Sequence, residues 1–178
     1  MTTALVLTFI GDDRPGLVNA ISERVAACGG SWLESRLAHL AGKFAGILLV
    51  NIPDTKVEAL GAALRELDAK GLHIAIERGD AVSDAGASSR ILKLEIVGQE
   101  RAGIVRDVTQ ALTDLGVNIE EFTSGVESAP FSGLEMFRAT ARLRAPRGLT
   151  ADALRQSVER LAGEIMVDLA VSEGDDEK

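Results

Sequence analysis

The stretch Gly11-Asp12-Asp13-Arg14-Pro15-Gly16-Leu17-Val18 returns 87 positions later as Gly98-Gln99-Glu100-Arg101-Ala102-Gly103-Ile104-Val105. The same offset pairs Ile21 with Val108, Val25 with Leu112, Gly29 with Gly116 and Glu34 with Glu121. Further on it widens to 93, pairing Phe44 with Phe137 and Pro53 with Pro146. The second copy therefore carries about six extra residues, placed near 127–132. A period near 90 is too long for a solenoid, so the chain is a duplicated domain. Its 178 residues suit two small domains. We divide it into 1–79, a small and polar linker at 80–89, a second domain at 90–171, and an acidic tail at 172–178 expected to be disordered.

Each copy reads as β-α-β-β-α-β. Residues 4–10 are apolar and β-rich, and their counterpart 91–97 alternates, with Leu92, Leu94 and Ile96 on one face. The first helix is expected to carry Pro15 in its first turn, where the missing N–H costs nothing. It places Leu17, Ile21, Val25 and Cys28 on one stripe and ends at Gly29-Gly30. In the second copy Ile104, Val108, Leu112 and Leu115 do the same before Gly116. Strands are predicted over 31–40 and 44–52 around an Ala41-Gly42-Lys43 hairpin, and over 118–126 and 134–143 around a longer loop. A second helix follows Pro53, with Asp54 as its candidate N-cap and Val57, Leu60, Leu64 and Leu67 as its apolar face. Its counterpart starts near Thr150 and carries Leu154, Val158 and Leu161. Strands over 72–77 and 165–171 close the copies.

This order predicts an α+β protein: two tandem ferredoxin-like domains, each a four-stranded antiparallel sheet with both helices on one face. Leu5, Leu7, Phe9, Ile21, Val25, Leu64 and Leu67 are the expected core of the first. Val6, Thr8 and Ile10 then fall on the face without helices, too apolar to stay wet. That face, or the sheet edge, is where domains or chains are expected to meet.

Composition narrows the function. The net charge is −8 and the pI about 4.8, so phosphate backbones and anionic lipid are repelled. Aromatics are only 3%, which leaves few stacking platforms for single-stranded nucleic acid. Neither direct nucleic-acid nor membrane binding is expected. One cysteine, Cys28, and two histidines, His39 and His73, cannot supply a disulfide framework or a Cys/His metal site. The N-terminus lacks a basic leader region, and its apolar run is too short to span a bilayer. The chain reads as cytoplasmic.

No nucleophile–base pair and no G-x-S-x-G elbow is present. His39 and His73 read as structural strand residues. Asp12 and Asp13 read as acids capping the following helix rather than as metal ligands. Glu34 and Glu121 read as edge or interface residues. Arg138, Arg142, Arg144 and Arg147 read as a solvated or partner-facing stripe, three of them on one strand face. The turn at 11–16 is more informative. Gly16 at a helix start lets an anion reach exposed N–H groups, and Asp13 beside it suits a cation. Together they complement an amino-acid zwitterion; an ordinary tight turn with a capping acid is the competing reading. Neither G-x-x-x-x-G-K-[ST] nor G-x-G-x-x-G occurs.

With Asp13-Arg14-Pro15-Gly16-Leu17 after strand 1 and Gly116-Val117-Asn118-Ile119 opening strand 2 of the second copy, the chain resembles the ACT domain family over 4–77 and 90–171. Two such domains without a catalytic domain are similar to the glycine cleavage system transcriptional repressor subgroup. The resemblance implies sensing of a small molecule, usually an amino acid, at the loop after strand 1 and the start of strand 2, often across an interface. It maps the ligand site onto Asp13, Arg14, Pro15, Gly16, Leu17, Asn118 and Ile119. Ser31 stands at the Asn118 position in the first copy, while Glu100 and Gly103 stand in the second turn, where Ala102 replaces Pro15. Each copy thus keeps one half of the family pattern.

The leading expectation is a non-enzymatic amino-acid-responsive regulator, without cofactor or metal, that acts on transcription indirectly through a protein partner. Small residues around the turn weakly favour glycine or serine, and a homodimer is left open. Two alternatives stand beside it. One is a ligand-silent regulatory or interaction module. The other is a small acylphosphatase-like hydrolase using Arg14, which Asp12 and Asp13 disfavour by repelling phosphate.

Overall fold

A computed structural model describes residues 1–79, 89–129, 133–161 and 168–173. The chain divides into two compact units, Met1–Ser83 and Asp84–Lys178. The first contains β1 (Thr2–Asp12), α1 (Leu17–Ala27), β2 (Ser31–Leu40), β3 (Lys43–Pro53), α2 (Val57–Arg65) and β4 (Leu72–Arg78). The second contains β5 (Ser89–Gln99), α3 (Ile104–Asp114), β6 (Asn118–Ser128), β7 (Glu135–Pro146), α4 (Ala151–Leu161) and β8 (Asp168–Glu173). Each has a four-stranded antiparallel sheet, ordered β2-β3-β1-β4 and β6-β7-β5-β8. These are the expected βαββαβ units, and strands β1 and β2 run parallel to each other on either side of β3.

The offsets of the sequence repeat reappear as strand register. Leu5 lies opposite Val50, and Leu92 opposite Leu143. One core face of the first sheet comprises Leu5, Leu7, Phe9, Leu48, Val50 and Ile52. Helix α1 covers it with Leu17, Ile21 and Val25, each four residues apart and buried. Helix α2 adds Leu60 and Leu64. Each such side chain contributes about 1.5–3 kcal/mol on leaving water. All seven expected core residues of this unit are buried. In the second unit Leu92, Leu94 and Ile96 meet Ile104, Val108 and Leu112 of α3 and Leu154 and Val158 of α4.

Several local expectations are corrected. Helix α1 begins at Leu17, not around Pro15, because Gly16 is left-handed (φ 92°, ψ 0°) and separates the proline from the helix. Asp54 does not cap α2. It opens a single 3-10 turn, Asp54–Lys56, and its carboxylate accepts a 2.8 Å hydrogen bond from Thr3 Oγ1 on β1. Thr150 does cap α4, accepting the Ala153 N–H at 3.1 Å. The final strand runs to Glu173, so Ser172 and Glu173 pair in the sheet instead of starting a tail. Residues 80–88 of the expected linker, 130–132 of the longer loop, 165–167 of the expected last strand and 174–178 of the expected tail lie outside the described residues.

Both sheets carry a bulge at the same place in the repeat. It falls between Trp32 and Glu34 in β2, and between Ile119 and Glu121 in β6. The extra residues are Leu33 and Glu120, themselves 87 positions apart.

Candidate functional site

The turn after β1 is held from two sides. The Asp13 N–H donates to the Gly42 carbonyl at 3.0 Å, which ties the turn to the β2–β3 hairpin. The Lys43 ammonium pairs with the Asp12 carboxylate, and His39 Nε2 lies 3.7 Å from Asp13 Oδ2. On the other side the Arg14 guanidinium donates to the Lys70 carbonyl. A Cβ on Gly11 would come 2.7 Å from the Gly71 carbonyl oxygen, so only glycine lets the α2–β4 turn lie this close.

Gly16 accepts the Ala20 N–H at 2.9 Å, and no side chain caps α1. Neither Asp12 nor Asp13 performs the expected capping. Side chains from other strands hold them instead: Lys43 opposes Asp12 in the β1–β3 ladder, and hydrogen bonding to it holds the Asp12 carboxyl below its ordinary range. The start of α1 therefore has no side-chain acceptor for its first N–H groups, where the helix dipole favours an anion. Arg14, Pro15 and Gly16 are exposed, while Leu17 is buried and anchors the helix start.

The second turn repeats this backbone. Gly103 has φ 89° and ψ 0°, again with no side-chain cap. The Glu100 N–H donates to the Glu135 carbonyl at 2.9 Å, the repeat image of Asp13 to Gly42. Its side chains differ. Arg101 lies 2.8 Å and Arg106 2.9 Å from the Asp107 carboxylate. These contacts, Arg106 foremost and then Arg101, hold the Asp107 carboxyl below its ordinary value of 3.8. A depressed folded pKa adds stability above the unfolded value and loses it as pH falls through the folded one. We expect the second unit's melting temperature to drop below about pH 4, near the free carboxylate range. Asp107→Asn should flatten that part of the pH profile; an unchanged profile would assign the acid sensitivity elsewhere. One carboxylate oxygen of Glu100, Oε2, is shielded from solvent without a protein partner.

The remaining candidates lie elsewhere. Ser31 opposes Asn51, which opposes Ala4, whereas Asp12 opposes Lys43. The turn and the β2 opening are thus at opposite ends of the sheet, about 25 Å apart at ~3.3 Å per residue. The same holds for Glu100 and Gly103 against Asn118, which opposes Arg144. Ile119 is half-buried and packs on the core. No single unit brings its turn and its strand opening together.

Sequence reasoning missed two groups. His39 was assigned to structure alone, yet the hairpin sets it beside Asp13. Glu121 was singled out and its neighbour Glu120, the bulge residue, was not; Glu120 lies 3.1 Å from Arg142 and pairs with the Arg144 guanidinium. Nothing in the sequence announces a bulge that moves a side chain by one position. Arg138, Arg142 and Arg144 do share the helix-free face; Arg138 pairs with Glu127 at 2.9 Å. Glu34 pairs with Arg36 at 3.0 Å.

Two antiparallel α+β sandwiches that share an uncapped, left-handed glycine turn define a tandem of one small domain type. The chain belongs to the ACT domain family: residues 3–77 match one ACT domain model and 95–172 another. It is 29% identical over 175 residues to phosphoserine phosphatase SerB2 of Mycobacterium tuberculosis, covering 96% of this chain but 41% of that protein. It is 47% identical over 47 residues to the glycine cleavage system transcriptional repressor of Escherichia coli, covering 26% of this chain and 25% of that one. These matches span well under two thirds of either relative. Among solved structures, an unknown protein from Galdieria sulphuraria is similar along the whole chain, with TM-score 0.86, 30% identity and coverage of 98% and 99%. A putative glycine cleavage system transcriptional repressor shares the fold, with TM-score 0.70, 18% identity and the same coverage.

Proposed function

We propose that this protein is a non-enzymatic regulator that senses a free amino acid at the turn after β1 and signals through a protein partner. The observation that carries the reading is the uncapped start of α1 beside Asp13. Backbone N–H groups there suit a ligand carboxylate, and the Asp13 carboxylate suits its ammonium. Ser31 or Asn118 would complete the shell from another folded unit, because neither reaches the turn of its own. The small residues of the turn, Gly11 and Gly16, favour a compact ligand such as glycine or serine. Similarity to the glycine cleavage system transcriptional repressor over 47 residues supports a transcriptional role, and we read the protein as acting in the cytoplasm. The net charge of −8 supports an indirect one; a specific gel shift with DNA alone would overturn that part.

A second reading attaches to the second unit. Asp107 with Arg101 and Arg106 fills the neighbourhood of its turn, which supports a ligand-silent copy and one site per chain.

A thermal-shift screen of the twenty amino acids tests the proposal. A ligand at ~100 times its dissociation constant adds about 2.7 kcal/mol of stability. Calorimetry then follows on the amino acid selected. Asp13→Ala should weaken binding by about 1.5–3 kcal/mol, as for a hydrogen bond to a charged group. Gly16→Val should abolish binding, since a branched side chain would cover the N–H groups. At φ 92° it also strains the turn, by about 1–2 kcal/mol, so its melting is measured in parallel. Unchanged affinity in a folded Gly16→Val protein would move the site away from this turn.

A further inference from the structure

The two sheets have diverged on the face that carries no helix. In the first unit that face presents Val6, Thr8 and Ile10 from β1 and Ala45, Ile47 and Leu49 from β3, which oppose one another in register. Ala38 of β2 and Ala75 of β4 extend it on either side. Ile10 is 49% and Ile47 48% exposed. Ionisable side chains stand at its margins: the Glu34–Arg36 pair on edge strand β2, His73 and Glu77 on edge strand β4, and the Asp12–Lys43 pair where β1 ends. In the second unit the corresponding positions are Lys93, Glu95, Val97, Arg138, Thr140 and Arg142, with Glu120 and Glu121 alongside, so five of the six are polar or charged.

We propose that a second copy of this chain covers the helix-free face of the first sheet with the same face of its own. Size and charge both select that occupant. Strands β1 and β3 each run eleven residues, so four strands at ~4.8 Å spacing make a face of roughly 19 by 33 Å. A pair of such faces buries about 1,200 Å², the lower end of a stable interface. The charged face of the second unit is no match. Setting its arginines and glutamates against Ile10 and Ile47 would strip them of water without new partners. An identical apolar face has no such cost, and sheets stack well at about 10 Å. A symmetric pairing also closes on itself, so assembly stops at two.

Sedimentation equilibrium of the full chain between 1 and 100 µM tests this. The wild-type chain should dimerise in that range. Ile47→Asp should weaken the dimer at least a hundredfold while circular dichroism and melting stay close to wild type, because Ile47 lies outside the core. Ile10→Lys serves the same purpose should Ile47→Asp fail to fold. Thr140→Asp, at the repeat position equivalent to Ile47, should leave the dimer intact. A wild-type monomer at 100 µM overturns the proposal and means that another part of the chain or a different protein covers the face. So does a dimer that survives Ile47→Asp, or one lost equally in Thr140→Asp.

Discussion

Ile21→Asp should leave the first unit unfolded while the second keeps its dispersed amide resonances. Ile21 is completely buried in the cluster that also holds Leu5, Leu7, Val25 and Leu64. No buried cation stands among the hydrophobic residues of that cluster to pair with a new carboxylate. A domain of this size has only about 4–12 kcal/mol of stability, at ~0.05–0.15 kcal/mol per residue. An unpartnered buried charge, together with the lost packing, costs more than about 4 kcal/mol. Val18→Asp on the same helix is the matched control. Val18 is exposed in the first turn, where the dipole favours an acid, and its effect should stay within about 0.5 kcal/mol. Heteronuclear NMR of both variants reads the result. A cooperatively melting first unit in Ile21→Asp would mean that the buried face of α1 is wrongly assigned.

The second large effect concerns Gly30. A Cβ there would clash with Ile52 Cδ1 and would sit 2.9 Å from Val25 Cγ1 and 3.0 Å from the Val25 carbonyl. At the equivalent position the second unit has Val117, and opposite it, in place of Ile52, Ala145; both are buried. The repeat has kept the total volume and moved it from one strand to its neighbour. Gly30→Val alone should therefore overpack the first core by about 1–3 kcal/mol or more. Ile52→Ala alone should leave a cavity costing about 2–5 kcal/mol. The double variant reproduces the second unit's arrangement, and it should be more stable than the two losses summed by about 1–3 kcal/mol. Strictly additive losses in urea titrations would show that the two positions do not share space.

The architecture could be read from the sequence because a duplicated chain states its pattern twice. Ile21 with Val108 and Leu5 with Leu92 fixed the buried faces in both copies, and Gly29 with Gly116 fixed both helix ends. What escaped depends on contacts across the sheet. Asp12, Asp13 and Asp54 all looked like helix caps from their local sequence. Lys43, His39 and Thr3, each brought in by another strand, took their carboxylates instead. The bulges escaped for a related reason: Leu33 and Glu120 share no residue type, so the repeat preserved a backbone irregularity without a sequence signal. Of the candidate site, the position of the glycine turn was legible, but the left-handed backbone of Gly16, which is what calls for glycine there, was not. The resemblance implied a site shared by the turn and the strand opening across an interface; parallel β1 and β2 place the two at opposite ends of each unit.

That separation has a thermodynamic consequence. A free amino acid is far shorter than the ~25 Å that strand register sets between the turn and the opening of β2, so one unit can grip it from one end only. If both groups contact the ligand, the bound state contains a second folded unit, and the ligand and that unit become effectors of each other. Reciprocity then fixes the bookkeeping: the factor by which the amino acid tightens assembly equals the factor by which assembly tightens the amino acid. Apparent affinity would rise with protein concentration, and the effector's signal would be a change in what the protein is joined to rather than in its internal shape.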